Sequence, residues 1–137
     1  QNKVPPGTAA ALRRIGYNVG LSFQIIDDLL DFTGNEKVLG KPAGGDLREG
    51  IFTLPVIHAY RKDPSGLGPL LTRAALADGK TAGRVIGLIE ASGGFARTRE
   101  TAVLFTSRAL REAGKLPPSE SRDILLAVIE NLVHRSF

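Results

Sequence analysis

The chain comprises 137 residues, 42% hydrophobic and 23% charged, with a formal net charge of +4, which is the composition of one globular domain or a piece of one. Its basic residues are scattered, paired at Arg13-Arg14 and Arg61-Lys62 and single at Lys41, Arg108, Arg111, Lys115 and Arg135; no basic block with interleaved aromatics offers a nucleic-acid surface, while anionic small molecules remain open as partners. The lack of Cys excludes disulfides and thiolate metal sites, and neither a bilayer-spanning run of about 20 apolar residues nor a signal-peptide pattern is present, so a soluble, cytoplasmic protein with no transmembrane segment is expected.

The chain contains no Met and opens on Gln1-Asn2-Lys3, so it is expected to be a piece of a longer protein. Val4-Pro5-Pro6-Gly7 reads as an extended lead-in, and Thr8 as the N-cap of a helix reaching about Phe32. Leu12, Ile15, Val19, Phe23, Ile26 and Leu30 recur at helical spacing on one side, and Leu21, Ile25, Leu29 and Phe32 on another. A helix apolar on several sides is normally enclosed by others, which makes this the expected central helix. Gly16 and Gly20 each cost about 1 kcal/mol relative to Ala, and that cost predicts close packing against a neighbouring helix. A chain exposing so apolar a helix is expected to self-associate.

Within that helix, Phe23-Gln24-Ile25-Ile26-Asp27-Asp28-Leu29-Leu30-Asp31 sets three carboxylates in five residues among aliphatics. Asp27 and Asp31 stand one turn apart on one face, with Asp28 beside them and Gln24 one turn before, so several oxygens are expected around one point. Like charges at this spacing destabilise a helix by about 0.2–0.5 kcal/mol per pair, and carboxylates near the C-terminal end oppose the macrodipole. The flanking residues are too apolar for a solvated face, so the pattern predicts a cation site.

Gly34 is expected to end the helix. A Gly-rich loop follows to Gly50 and holds Lys41, Asp46 and Arg48; loops of this kind carry function more often than core. From the residues alone Lys41 reads as a loop charge or a ligand, and Asp46 as a turn or N-cap residue or a ligand. A short helix is predicted from about Thr53 to Lys62, with Pro55 in its first turn. Its His58, on an apolar face, reads as a core histidine with satisfied hydrogen bonds. Asp63-Pro64-Ser65-Gly66 breaks that helix. Further helices are predicted near Leu67 to Ala77, Thr81 to Ser92, Phe95 to Gly114 and Ser119 to Arg135. Thr81 and Ser119 serve as caps, Gly93 and Gly114 as stops, and His134 with Arg135 as a positive final turn. Strand signals are nearly absent, so the fold class is all-α.

Gly20-Leu21-Ser22-Phe23-Gln24-Ile25-Ile26-Asp27-Asp28-Leu29-Leu30-Asp31-Phe32-Thr33-Gly34 resembles the second aspartate-rich motif of trans-polyprenyl diphosphate synthases. Leu39-Gly40-Lys41-Pro42, Gly45-Asp46-Leu47-Arg48-Glu49-Gly50 and Thr53-Leu54-Pro55 are similar, in order and spacing, to the segment that follows it there. The resemblance covers essentially the whole chain and is strongest to the heptaprenyl-like, long-chain branch. It implies the C-terminal helices of the isoprenoid synthase helical bundle, with residues 1–137 as the C-terminal part of a single synthase domain whose N-terminal half is absent. The family's first aspartate-rich motif and the basic residues that hold isopentenyl diphosphate there have no counterpart here. Ile51 stands where many relatives carry Lys.

The implied activity is Mg²⁺-dependent addition of isopentenyl diphosphate to an allylic diphosphate, giving a polyprenyl diphosphate. Breaking the allylic C–O bond leaves a diphosphate whose developing charge hard, oxygen-ligated Mg²⁺ neutralises. By the resemblance Asp27 is a direct ligand, Asp31 a direct or water-mediated one, and Asp28 an outer carboxylate. Lys41 is a point charge on the diphosphate, and Asp46 an acceptor for metal-bound water. Gln24 and Phe23 lie at the reacting end of the pocket, or else serve capping and packing. The chain alone is expected to be inactive, and to be completed by the N-terminal half or a partner chain, or to form a homo-oligomer. The alternative is a non-catalytic partner or regulatory subunit, or a diphosphate-binding module, of a heteromeric synthase. A terpene cyclase fits the Gly-Lys-Pro and Asp-Leu-Arg-Glu-Gly segments less well.

Overall fold

A computed structural model describes residues 5–33 and 43–134, with side chains as far as 132. Its helices are α1 (Pro6–Thr33), α2 (Gly45–Glu49), α3 (Leu54–Lys62), α4 (Pro64–Leu67), a 3₁₀ turn (Gly68–Leu70), α5 (Arg73–Leu76), α6 (Gly79–Ala91), α7 (Gly94–Gly114) and α8 (Glu120–His134). No strand occurs among the described residues, as the all-α reading requires. None of their helices is long and apolar enough to cross a membrane. The chain divides into two compact units, one of Gln1–Ile26 with Thr101–Phe137 and the other of Asp27–Glu100.

In the first unit, Pro6 rather than Thr8 opens α1. A first-turn proline has no use for the N–H it lacks, and Ala9 already donates to the Pro5 carbonyl at 3.1 Å, leaving Thr8 inside the helix. Ile15 packs with Ala109, Ala113 and Ile129, and Val19, Leu110, Leu125 and Leu126 close around them. The small side chains of Ala109 and Ala113, one turn apart on α7, let α1 approach closely. Beside that seam the buried hydroxyls of Ser22 and Thr106 lie 2.7 Å apart, and each has the Ala102 carbonyl at 3.1 Å. Left unpaired, such a group costs about 1–3 kcal/mol, so the contact fixes the register of α1 on α7. Arg14 Nε meets Glu112 at 2.6 Å on the rim. Ser119 caps α8 as predicted, accepting from the Arg122 N–H at 3.2 Å.

Within this chain α1 is left partly uncovered, as the self-association reading expects: Leu12 is 45% exposed and Phe23 58%. Gly16 and Gly20 are exposed as well, and a Cβ built on either meets no atom within 4 Å. Among the described residues the close packing predicted for them is absent. Gly16→Ala and Gly20→Ala are each expected to stabilise the chain by about 1 kcal/mol, the helix-propensity difference, read as a rise in Tm. A lowered Tm for either variant would mean that this face is packed in solution.

The second unit is built on Phe32, Leu47, Val56, Ala59, Leu67, Leu76, Val85 and Ile89, all buried. The Phe32 and Phe95 rings add a tilted contact at 5.5 Å. Thr53 occupies the N-cap position of α3 and Pro55 its first turn, as predicted, although the Thr53 hydroxyl accepts no capping bond. Asp63 ends α3 and starts α4, its carboxylate accepting from Gly66 N at 2.9 Å and Ser65 Oγ at 3.2 Å. The single helix predicted from Leu67 to Ala77 is broken in two. Pro69 suits the opening of a 3₁₀ turn better than the interior of a helix, and Thr72 caps a fresh turn by accepting from Ala75 N at 3.2 Å. Asp78, not Thr81, caps α6, accepting from Lys80 N at 3.3 Å, Thr81 N at 3.0 Å and Thr81 Oγ1 at 2.9 Å. Gly93 ends α6 at φ 80°, as predicted. Gly94 then permits an immediate restart, because a Cβ there would lie 2.7 Å from the Pro55 carbonyl oxygen.

Candidate functional site

The last turns of α1 carry Asp27, Asp28 and Asp31 into the second unit, where the start of α2 lies against Asp31. Sequence reading made residues 43–50 part of a loop, but Leu47 is completely buried. A leucine removed from water in this way contributes about 1.5–3 kcal/mol, enough to hold a five-residue helix that has no stability of its own. Gly44 makes the entry possible. Its φ of 74° lies in the left-handed region, a Cβ would sit 3.1 Å from Ile86 Cδ1, and its N–H donates to the Asp31 carbonyl at 2.8 Å. Gly50 closes α2 in the same conformation, at φ 82°.

This turn presents the Asp46 N–H to the Asp31 carboxylate, Oδ2 accepting at 3.2 Å. Asp46 is thus a first-turn residue of α2, not its N-cap. The pKa of Asp31 is raised, first by burial and then by the charges of Asp46 and Asp27, against the lowering effect of N–H groups from Asp46 and Gly45. Asp27 is exposed, while Asp28, Asp31 and Asp46 are half-buried. The oxygens were expected to surround one point, yet among the described residues no three acid or imidazole side chains gather closely enough to hold a metal ion. What the fold does supply is a patch of carboxylates in mutual repulsion, with hard oxygen donors and part of their surface open. Such a donor set fits a hard divalent cation that takes one or two carboxylates and completes its shell with other oxygens, rather than one that needs a complete protein cage.

Phe23 and Gln24 belong to the first unit and lie on exposed positions of α1. Lys41 and the Gly34 stop fall outside the described residues, as do the side chain of His134 and all of Arg135. Ile51 is 49% exposed just beyond α2. His58 departs from expectation: its Nε2 is buried without a hydrogen-bond partner, and burial followed by the Arg97 and Arg61 charges lowers its pKa. Sequence reading missed the Asp31–Asp46 contact, and the signal was the Gly44-Gly45 pair set directly before an acidic residue.

A family model described as Polyprenyl synthetase matches residues 2–91. The chain is 39% identical over 123 residues to a probable mitochondrial hexaprenyl pyrophosphate synthase of Yarrowia lipolytica, covering 90% of this chain and 27% of that protein. The heptaprenyl diphosphate synthase structure from Staphylococcus aureus superposes with a TM-score of 0.90 at 32% identity, over 98% of this chain and 42% of that one. A polyprenyl synthase from Caulobacter crescentus, complexed with calcium and isoprenyl diphosphate, gives a TM-score of 0.83 at 31% identity, over 98% of this chain and 42% of that one. The chain thus spans less than half the length of each. With the family model matched from residue 2 to residue 91, and the helices superposing on the same bundle fold, the chain belongs to the polyprenyl synthetase family.

Proposed function

We propose that this chain contributes the diphosphate-facing carboxylates of a prenyltransferase that adds isopentenyl diphosphate to an allylic diphosphate. The observation that carries this reading is the Asp31 carboxylate, held against the Asp46 N–H at 3.2 Å, with its pKa raised first by burial and then by the charges of Asp46 and Asp27. A bound cation would relieve both burdens. The Caulobacter relative, with calcium and isoprenyl diphosphate, supports a divalent cation beside a diphosphate ligand.

Mg²⁺, when bound, neutralises the charge that develops on the departing diphosphate. Asp27 and Asp31 hold the cation, with Asp28 as an outer carboxylate, and Asp46 accepts hydrogen bonds at its edge. Lys41 offers a point charge to the diphosphate. Phe23 and Gln24 border the reacting carbons, the ring as a wall tolerant of positive charge. Cleavage of the allylic C–O bond releases inorganic diphosphate. The alkene of isopentenyl diphosphate bonds to the freed allylic carbon, and one proton leaves to the diphosphate, giving a product longer by one unit. The carboxylates present here would supply some of the cation's ligands, and a first aspartate-rich motif, elsewhere in the same protein or on a partner chain, would supply others.

Two measurements on the chain test this. Titration with geranyl diphosphate should show a binding component that requires Mg²⁺ and is lost with EDTA or with Asp27→Ala; the absence of any Mg²⁺-dependent component would refute the carboxylates' role. Labelled isopentenyl diphosphate should not be incorporated by the chain alone, and product formation would refute the half-site.

A further inference from the structure

On one flank of α3, His58, Arg61 and Lys62, with Arg97, line a cavity of about 220 Å³. None of the four is acidic. Lys62 Nζ is fixed at the rim by donating to the Ser92 carbonyl at 3.0 Å, and Arg61 makes no ion pair among the described residues. His58 Nε2 lies buried beneath them without a partner. Arg61 and Lys62 bring positive charge to this small hollow beside Arg97, with no carboxylate in its lining, so an anion is the species that fits it.

Arg61 also lines a second, larger cavity of about 470 Å³, walled by Phe52, Val56, Ile57, Tyr60 and Leu71. Phe52 is 40% exposed and Tyr60 44%, an apolar surface left open. Positions 56, 57 and 60 follow one side of α3 and positions 58 and 62 the next, with Arg61 on the ridge between. A charged hollow and an apolar one that share a guanidinium are complementary to a molecule with an anionic head and a hydrocarbon tail.

We propose that the basic cavity holds a phosphate group and the apolar cavity the carbon chain attached to it, giving unit Asp27–Glu100 a second binding site, for an anionic amphiphile, that uses none of the aspartates. It does not depend on the prenyl-transfer reading. The test titrates inorganic phosphate and octyl phosphate, below its micelle concentration, into the full chain with EDTA present, following the His58 imidazole by NMR. Octyl phosphate should bind with one-to-one stoichiometry at least tenfold more tightly than inorganic phosphate, and should shift the His58 resonances. Arg61→Gln should weaken octyl phosphate at least tenfold with helicity unchanged. Ile57→Asp should weaken octyl phosphate and leave inorganic phosphate unaffected. Equal affinity for the two probes, no binding of either, or indifference to Arg61→Gln overturns the proposal, and weak phosphate binding alone marks an adventitious ion only.

Discussion

Replacing Asp27 by alanine in a full-length synthase that carries this segment should lower turnover by about 10²–10³ or more, the cost of removing one preorganised charge-stabilising group, and should leave the fold intact. The two halves of that expectation have separate causes. Asp27 is exposed inside a long helix, where alanine is the best helix former and gains up to about 0.7 kcal/mol over a residue such as Asp. The change also removes one of the charges that raise the pKa of Asp31. Stability should therefore stay level or rise slightly. The activity loss arises because the second carboxylate on that face of α1 can no longer balance the diphosphate as its charge develops. Incorporation of labelled isopentenyl diphosphate and thermal melts by circular dichroism read the two quantities. Near wild-type turnover would sink the assignment of Asp27, and lost activity in a protein with a depressed Tm would make its role structural.

The long elements were legible because their information is local. The apolar period of α1 and α6–α8 and the glycine at Gly93 placed most helices within a few residues. Ser119 could be read as a cap, whereas Asp78 and Thr81, both good capping residues three apart, could not be ranked by type. The carboxylate prevailed because it accepts two backbone N–H groups and the Thr81 hydroxyl together. What sequence reading lost depends on distant partners. A five-residue helix among glycines forms only because Leu47 is buried beneath it. The Asp31–Asp46 contact joins residues 15 apart across a stretch without periodicity. Gly16 and Gly20 suggested a close neighbour, yet a Cβ built on either meets no described atom within 4 Å. The carboxylates named the family, but not which of them the fold would press together.

Asp31→Asn separates binding from folding more sharply, because its effects have opposite signs. In the folded chain burial, Asp46 and Asp27 raise the pKa of Asp31, whereas an unfolded aspartate titrates near its ordinary value of about 3.9. Between those two values the unfolded chain gives up its proton first. The stability associated with Asp31 is therefore fully present below the unfolded pKa and is lost as pH rises through the folded one. At neutral pH the ionised carboxylate weighs against the fold. Asparagine removes the charge, and its side-chain oxygen can still accept from the Asp46 N–H. The variant should match the parent chain in acid and exceed it in Tm by a modest margin at neutral pH, since Asp31 is only part-buried and water screens much of the repulsion. Turnover in a full-length synthase should nevertheless fall by about two orders of magnitude or more, because a neutral amide is a weak ligand for a hard cation. A Tm below that of the parent at neutral pH would mean that the carboxylate stabilises the fold, and the case for a cation that relieves its repulsion would collapse. A higher Tm with lost turnover identifies Asp31 as a group whose destabilising charge is kept for its function.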